Sequence, residues 1–295
     1  MTGWFDKSEK VKLQWHALVS CAALFMMAMF SFQSAYGQSF RVMSYNIRYD
    51  NPGDGLNDWN HRRDFLMDQI LTNNPDILGI QESLPAQVEY VASKLKGYGH
   101  VGVGRDEDGT GESTTIFYRT ARFELKEHQL FWLSETPYKM SKGWDAAIRR
   151  ICTYALLYDK EQHHMFWVFN THFDHVGKDA RLQSARLILR RIEEVNVNHL
   201  PAILMGDFNA TPDSDPIKIL GSQMKEARLV AVTKSEGPAG SFNGFDSAKP
   251  ATQLIDHFFV SNEVHVNTYA VILESKDSHY PSDHFPVQVD VVIHK

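Results

Sequence analysis

Short apolar runs that break off at a carboxylate, a carboxamide or an imidazole recur along this chain and limit what it can fold into. The clearest is Pro201-Ala202-Ile203-Leu204-Met205-Gly206-Asp207-Phe208-Asn209, where an apolar run stops at a glycine and delivers an acid and an amide two residues apart. As a buried strand with a period of two, it places Asp207 and Asn209 on one side and Phe208 on the other. Gly206 lets backbone or ligand approach closely just before the acid. Taken alone, the stretch reads equally well as a strand ending in a polar turn, because Asp and Asn are common there. Other apolar runs carry the same chemistry at their ends: Asn46, Glu82, His172, Asp256 with His257, and Asp283 with His284. Six strand ends of this kind, Asp207 with Asn209 included, are hard to ascribe to turns. In packed-sheet proteins, ligands gather where strand ends and their loops meet, so the six are expected to form one site.

The rest of the chain fills in around those ends. Strands are predicted at Phe40–Asn46, 76–82, 99–103, Ser113–Arg119, 123–133, 151–158, 164–174, 202–205, 254–260, 264–273 and 285–293. Trp59–Asn73 reads as a helix stopped by Asn74-Pro75, and Ser83 is expected to cap a second helix that has Pro85 near its start and Gly97 at its close. Lys178–Val195 is the clearest helix, with Leu182, Ala185, Leu189 and Ile192 on one face and arginines on the other, and a short helix follows at 216–220. Strands outnumber helices, and helices occur both early and late. That pattern implies packed sheets flanked by helices.

The first residues are expected to be a leader. Lys7, Lys10 and Lys12 precede an uncharged run from Ala17 to Phe32, and small and polar residues end at Ala35-Tyr36-Gly37. This is the order of a secretory signal peptide over 1–37, with one domain over 38–295. An uncleaved anchor is the alternative, although the run is short for a span of about 20 residues. Export without Cys21 leaves Cys152 as the only cysteine of 258 residues, so stability must come from the core rather than a disulfide. Removing three lysines and two acids takes the formal charge from −6 to −7, which disfavours tight, unspecific binding of duplex nucleic acid. A small phosphorylated substrate held by a few local arginines remains compatible with it.

The oxygen-rich set Asn46, Glu82 and Asp283 suits a hard cation such as Mg²⁺ (or Mn²⁺), and lacks the several His or Cys ligands expected for zinc. Ser44-Tyr45-Asn46, Gln81-Glu82, Thr171-His172, Gly206-Asp207-Phe208-Asn209, Ile255-Asp256-His257-Phe258 and Ser282-Asp283-His284 resemble, in order and spacing, the endonuclease/exonuclease/phosphatase superfamily of DNase I-like phosphoesterases. The resemblance runs from Phe40 to Ile293 and implies an α+β fold, a four-layer α/β/β/α sandwich of two mixed β-sheets flanked by helices. It also implies roles. Asn46, Glu82 and Asp283 match the residues at the metal. Asp207 matches the acid that aligns or deprotonates the attacking water, and Asn209 its neighbour on the phosphate. His284 matches the imidazole on the phosphoryl oxygen, held by the carboxylate matched by Asp256. His172 stands where relatives place a His or Tyr against the phosphate, and Glu112 resembles the acid that orients it in secreted nucleases.

Hydrolysis of a phosphate ester needs an activated water, in-line attack and neutralised oxygens. An Asp256–His284 pair would raise the histidine pKa and suit it to that task. Arg150 and Arg181 are expected to bind phosphate, while Arg149 and Lys178 read as well as solvated charges. Phe242 and Phe245 could stack a base or sugar or simply anchor their loop. The expected protein is therefore an exported, monomeric, Mg²⁺- or Mn²⁺-dependent phosphoesterase acting on a sugar phosphate, nucleotide or lipid head group. It has no membrane span once the leader is removed. A secreted nuclease, with long nucleic acid as its partner, is the rival enzyme. A non-catalytic surface binding protein is the rival of another class.

Overall fold

Burial with a period of two separates the two faces of each long strand, and each face finds a different partner. The structure, a computed structural model, describes residues 38–234 and 237–294, so the expected leader at 1–37 lies outside the described residues. The first strands are β1 (Phe40–Asn46), β2 (Ile77–Ser83), β3 (Tyr98–Val101), β4 (Ser113–Arg119), β5 (Phe123–Trp132), β6 (Ile151–Asp159) and β7 (His164–His172). They are followed by β8 (Ala202–Asp207), β9 (Lys225–Glu226), β10 (Thr233–Lys234), β11 (Asp256–Val260), β12 (Val264–Val271) and β13 (Val287–Ile293). Helices are α1 (Trp59–Asn73), α2 (Pro85–Lys94), α3 (Lys178–Val195), α4 (Asp215–Gly221) and a single turn, α5 (Ala227–Val230). The two-residue strands β9 and β10 and the turn α5 are too short to have left a periodic signal in the sequence.

Each helix has a local cause. The Asp58 carboxylate accepts from the His61 N–H at the start of α1, and Asn74 ends it in a left-handed conformation just before Pro75. The expected Ser83 cap on α2 is corrected. Ser83 is the last residue of β2, with its hydroxyl 2.6 Å from that of Ser113. Leu84 takes the cap position, and its N–H donates to Gln87 Oε1 at 3.2 Å, so a side chain from inside the helix serves the free amide. In α3 the Asp145 carboxylate accepts from the Ala180 N–H at 2.7 Å. Ala185, Ile188 and Leu189 are buried on the inner face of this helix.

The strands form a seven-stranded sheet, β10-β12-β13-β1-β2-β4-β3, and a six-stranded sheet, β5-β6-β7-β8-β11-β9. One core lies between them, joining Val42, Ile77 and Val289 of the first sheet to Phe166, Met205 and Phe258 of the second. Met43, Tyr45 and Ile80 point outward onto Leu66, Ile70 and Val91 of α1 and α2. Phe169, Leu204 and Phe259 point outward onto Ile188, Ile217 and Leu220 of α3 and α4. The chain is thus a four-layer α/β/β/α sandwich. Each large apolar side chain so buried contributes about 1.5–3 kcal/mol. The inner core therefore outweighs any single polar contact in holding the sheets together. Among the described residues, no helix is long and apolar enough to cross a membrane.

Topology positions the polar strand ends. β1 and β2 are parallel in one sheet, and β7 and β8 are parallel in the other, so Asn46, Glu82, His172 and Asp207 all finish at one edge. Antiparallel neighbours begin at that edge. β11 sets Asp256 directly opposite Asp207, β6 follows Arg150, and β4 follows Glu112.

Gly206, with φ of 150°, shows how tight the second sheet is there, since a Cβ on it would lie 2.1 Å from the Thr171 carbonyl oxygen. Gly206→Ala is expected to cost about 1–3 kcal/mol or more, the scale of an overpacked core. Urea unfolding checks this, and an unchanged midpoint would show that β7 and β8 can part without cost.

Candidate active site

At the shared edge the strand-end side chains line one cavity of about 560 Å³, bounded among others by Glu82, Arg150, His172, Asp207, Asn209, Asp283 and His284. Asp207 is its hub and is 1% exposed. Its Oδ2 accepts from Asn46 Nδ2 across the sheets at 2.9 Å, and its Oδ1 accepts from the Asn209 N–H at 2.9 Å. The same Oδ2 lies 3.3 Å from His172 Nε2 and 3.7 Å from His284 Nε2. Burial, then the charge of Asp256, pushes the Asp207 carboxyl up to about 7, against the opposing pull of His284 and the donors from Asn209 and Asn46.

The two histidines are held in opposite states. His284 Nδ1 lies 2.8 Å from Asp256 Oδ2. Burial opposes charge on His284, but the Asp256 and Asp207 carboxylates outweigh it and keep the imidazole protonated well above its usual range. Burial and then the Arg150 guanidinium drive the His172 pKa well down. Arg150 Nη1 sits 2.8 Å from His172 Nδ1, so that ring accepts from the arginine as a neutral base. Arg150 is itself buried, and its Nε, closed off from the cavity, faces Asp174 Oδ2 at 3.8 Å with no hydrogen-bond partner among the described residues.

Glu82 and Asp283 make the other wall. Glu82 has a left-handed φ of 61° inside a register shift between β2 and β4, which turns its side chain out of the strand alternation and into the cavity. Arg48 Nη1 lies 3.9 Å from Glu82 Oε2 and its Nε lies 3.9 Å from Asp283 Oδ2, while Asp54 grips the guanidinium at 2.9 and 3.0 Å. Burial raises the Asp283 carboxyl, with the charges of His284 and Glu82 acting in opposite senses. Carboxylate oxygens that burial penalises fit a hard divalent cation by their chemistry. Ligand atoms of Glu82, His172 and Asp207 also lie within 4.8 Å of one another, as do those of Asp207, Asp256 and His284.

Three expected roles change. Asn46 turns its amide nitrogen, not its oxygen, to the acids, donating to Glu82 at 3.0 Å and to Asp207, while its oxygen accepts from the Arg48 N–H. In this arrangement it joins the two carboxylates, and of the expected trio Glu82 and Asp283 are the members that line the cavity. Glu112 is gripped by Arg105 at 2.7 and 2.8 Å and lies 3.6 Å from Arg150, so it reaches His172 only through that arginine. Arg181 donates to the Asp174 carbonyl and lines a neighbouring cavity instead of this one. Asn209, by contrast, stands in the cavity, its Nδ2 3.1 Å from His172 Nε2.

Arg48, Arg105 and His175 line the site without having been foreseen. Arg48 alone carried a signal, two residues after Asn46; the other two sit in loops without periodicity. Phe242 packs edge-on against His284 with centroids 5.2 Å apart, and Phe245 lies under Arg62. Phe245 therefore anchors its loop, whereas Phe242 also lines the catalytic cavity. Arg149 pairs with Asp106 on the rim.

The profile of the Endonuclease/Exonuclease/phosphatase family matches residues 43–284. A structure of a family protein from Bacteroides thetaiotaomicron is 36% identical, covers 88% of this chain and 99% of its own, and superimposes with a TM-score of 0.84. The mannosyl-6-phosphatase of the same organism is 37% identical over 86% of this chain and all (100%) of its own, with a TM-score of 0.82. Protein angel of Drosophila melanogaster is 28% identical over 204 residues, 62% of this chain and 55% of that protein. The chain thus spans about half the length of the first curated relatives it matches.

The state of Asp207 gives a stability test. Its carboxyl binds a proton more tightly folded than unfolded, so stability falls as pH rises from its ordinary 3.8 toward about 7. In EDTA, Asp207→Asn should therefore raise the melting temperature more at pH 8.5 than at pH 5, each taken against the parent. An equal difference at both pH values would contradict the burial argument.

Proposed function

The chain belongs to the endonuclease/exonuclease/phosphatase family, and from that premise we propose that it is a divalent-metal-dependent phosphomonoesterase acting on a small phosphorylated sugar. The observation that carries the chemistry is Asp207, a buried carboxyl raised to about 7 within reach of both a protonated and a neutral imidazole. The substrate class draws support from the 37% identical mannosyl-6-phosphatase, whose whole length the alignment covers.

The roles follow from the positions. A base whose pKa lies near neutrality is best matched to taking a proton from water, and Asp207 is such a base. Asn46 and the Asn209 N–H hold its two oxygens apart, so its orientation is set before substrate arrives. Water oxygen bonds to phosphorus as its proton passes to Asp207. The ester P–O bond breaks on the opposite side, and the departing oxygen takes a proton from solvent. His284, kept charged by Asp256, and the Arg150 guanidinium line the cavity and would meet the non-bridging oxygens, where charge grows. His172 stays neutral, so it can accept or donate beside the same oxygens without adding charge. Glu82 and Asp283 would hold the cation, which supplies Lewis-acid neutralisation of phosphoryl charge when bound.

A panel of hexose phosphates, nucleotides, phosphodiesters and RNA, with Mg²⁺, Mn²⁺ or EDTA, tests the reading. Turnover of hexose phosphates that EDTA abolishes is expected, and efficient cleavage of RNA without monoesterase activity would overturn it in favour of a nuclease. Asp207→Asn should lower kcat by at least about a hundredfold, the lower end for a lost general base. Glu82→Gln should abolish the metal response while keeping the melting temperature.

We also propose that the protein is exported. Support for export comes from the lysines before the uncharged run and the small residues up to Gly37. N-terminal sequencing of protein from a cell-free medium or periplasmic fraction should begin just after Gly37; recovery only from cytoplasm would overturn it.

A further inference from the structure

A second cavity, of about 810 Å³, opens beside the catalytic one, and the two share His175, Asn209, Gln253 and Ile255 as walls. Its size falls within the roughly 300–1,000 Å³ usual for small-ligand sites. Asn209 stands at the junction: its amide lies 3.1 Å from His172 on the catalytic side, and the residue also bounds the second space. An ester with its phosphate against Arg150 and His284 has this space open to its other end.

The lining says what that end is. Lys178 and Arg181 are matched by Asp179 and Asp215, so the cavity carries no excess of positive charge. A further phosphate would meet two carboxylates, which disfavours a continuing nucleic-acid backbone. Among the described residues no Phe, Tyr or Trp lines it, and bases bound without pairing are held by stacking on such rings. Donors on Lys178 and Arg181, acceptors on Asp179 and Asp215, and groups that do both on Thr211 and Gln253 suit hydroxyls, which also donate and accept. Buried Ala210 and Pro216 offer an apolar floor for C–H surface.

We infer that this cavity receives the leaving group of the ester, and that the leaving group is polyhydroxylated, a sugar or polyol and not a nucleoside. The inference rests on the phosphomonoesterase reading above and adds the place and the residues that select the leaving group. Arg181 thereby becomes a specificity-determining residue instead of a phosphate ligand, positioned by its bond to the Asp174 carbonyl.

The test compares kcat/KM for a hexose 6-phosphate, a nucleoside 5′-monophosphate and ethyl phosphate, whose leaving group is too short to fill the second cavity. The parent should favour the hexose ester over both by at least about tenfold, since the hydrogen bonds its hydroxyls make in the second cavity are absent for ethyl phosphate and mismatched for a base. Thr211→Trp, which obstructs the cavity from an exposed position, should remove most of that preference. Asp215→Asn should reduce it mainly through KM, and melting temperatures confirm that both variants fold. Variants that lower all three substrates equally would overturn the inference alone; a parent without preference, or a nucleotide favoured over the hexose ester, would overturn it together with the sugar substrate, while the phosphomonoesterase chemistry stands. Failure of every monoester, with RNA cleaved, would instead remove that reading and this inference with it.

Discussion

The hydrogen bond from Asn46 to Asp207 joins the two sheets at their functional edge, and the site is arranged around its consequences. It brings a carboxylate from the end of β8 into a space walled by both sheets, where Asp207 is almost fully removed from water. A buried carboxylate is costly unless donors or cations surround it. Asn46 comes from one sheet, and the Asn209 N–H and His172 come from the other. His284 arrives from the segment before β13 and lies within ion-pair range. This compensation is incomplete, which is why the carboxyl remains protonated up to about pH 7 instead of ionising near 3.8. A group left poised in that way is chemically useful, and apolar packing between the sheets, not the polar edge, supplies the stability that tolerates it.

Much of this was legible because burial and chemistry conflict in the sequence. Asn46, Glu82, His172 and Asp207 each end an apolar run, where a side chain chosen only for stability would be apolar or a turn former. The four-layer arrangement of the sheets is consistent with the alternation of Val42 against Met43 and Tyr45, a period that sequence alone displays. Other features depended on contacts between distant residues. Arg105 and His175 lie in loops with no period, and only the pairing of β4 with β2 and of β6 with β7 carries their surroundings to His172. Arg181 sits in the first turn of α3 with an arginine's ordinary helical signature, and nothing in its spacing distinguishes one cavity from the next. Ser83 before Pro85 reads as a cap by composition, but strand pairing with Ser113 claims it. The orientation of the Asn46 amide could not be read at all, because it depends on the Arg48 N–H and two acids meeting at one point.

Beneath the site, Arg62 fixes the strand ends relative to each other. This buried guanidinium donates to the carbonyls of Ile47 at 2.5 Å, Arg48 at 2.6 Å and Pro281 at 3.1 Å. It thereby ties the segment just after Asn46 to the segment just before Asp283. Burial lowers its pKa, yet an arginine has so much reserve that it stays charged, whereas a lysine in the same place could lose its proton. The clamp also accounts for the conformation of Arg48, whose left-handed φ of 54° non-glycine residues rarely adopt. Such strain persists only where surrounding bonds over-determine the backbone, and here the Arg48 carbonyl is held by both Arg62 and Gln87.

The two histidines explain why two imidazoles are needed where one charge would neutralise Asp207. Both approach the same carboxylate oxygen, at 3.3 and 3.7 Å, yet their second neighbours differ in sign. His284 is backed by Asp256, and His172 by Arg150. Were both protonated, they would hold the Asp207 proton off at every working pH and repel Arg150. Were both neutral, no cation on the histidine side except Arg150 would meet the phosphoryl charge of the proposed reaction. In the proposed reaction, one of each would keep Asp207 near the point of exchange while leaving a fixed positive charge beside the phosphoryl oxygens. A carboxylate behind one ring and a guanidinium behind the other therefore set the balance, and the buried Asp207 between them responds to it.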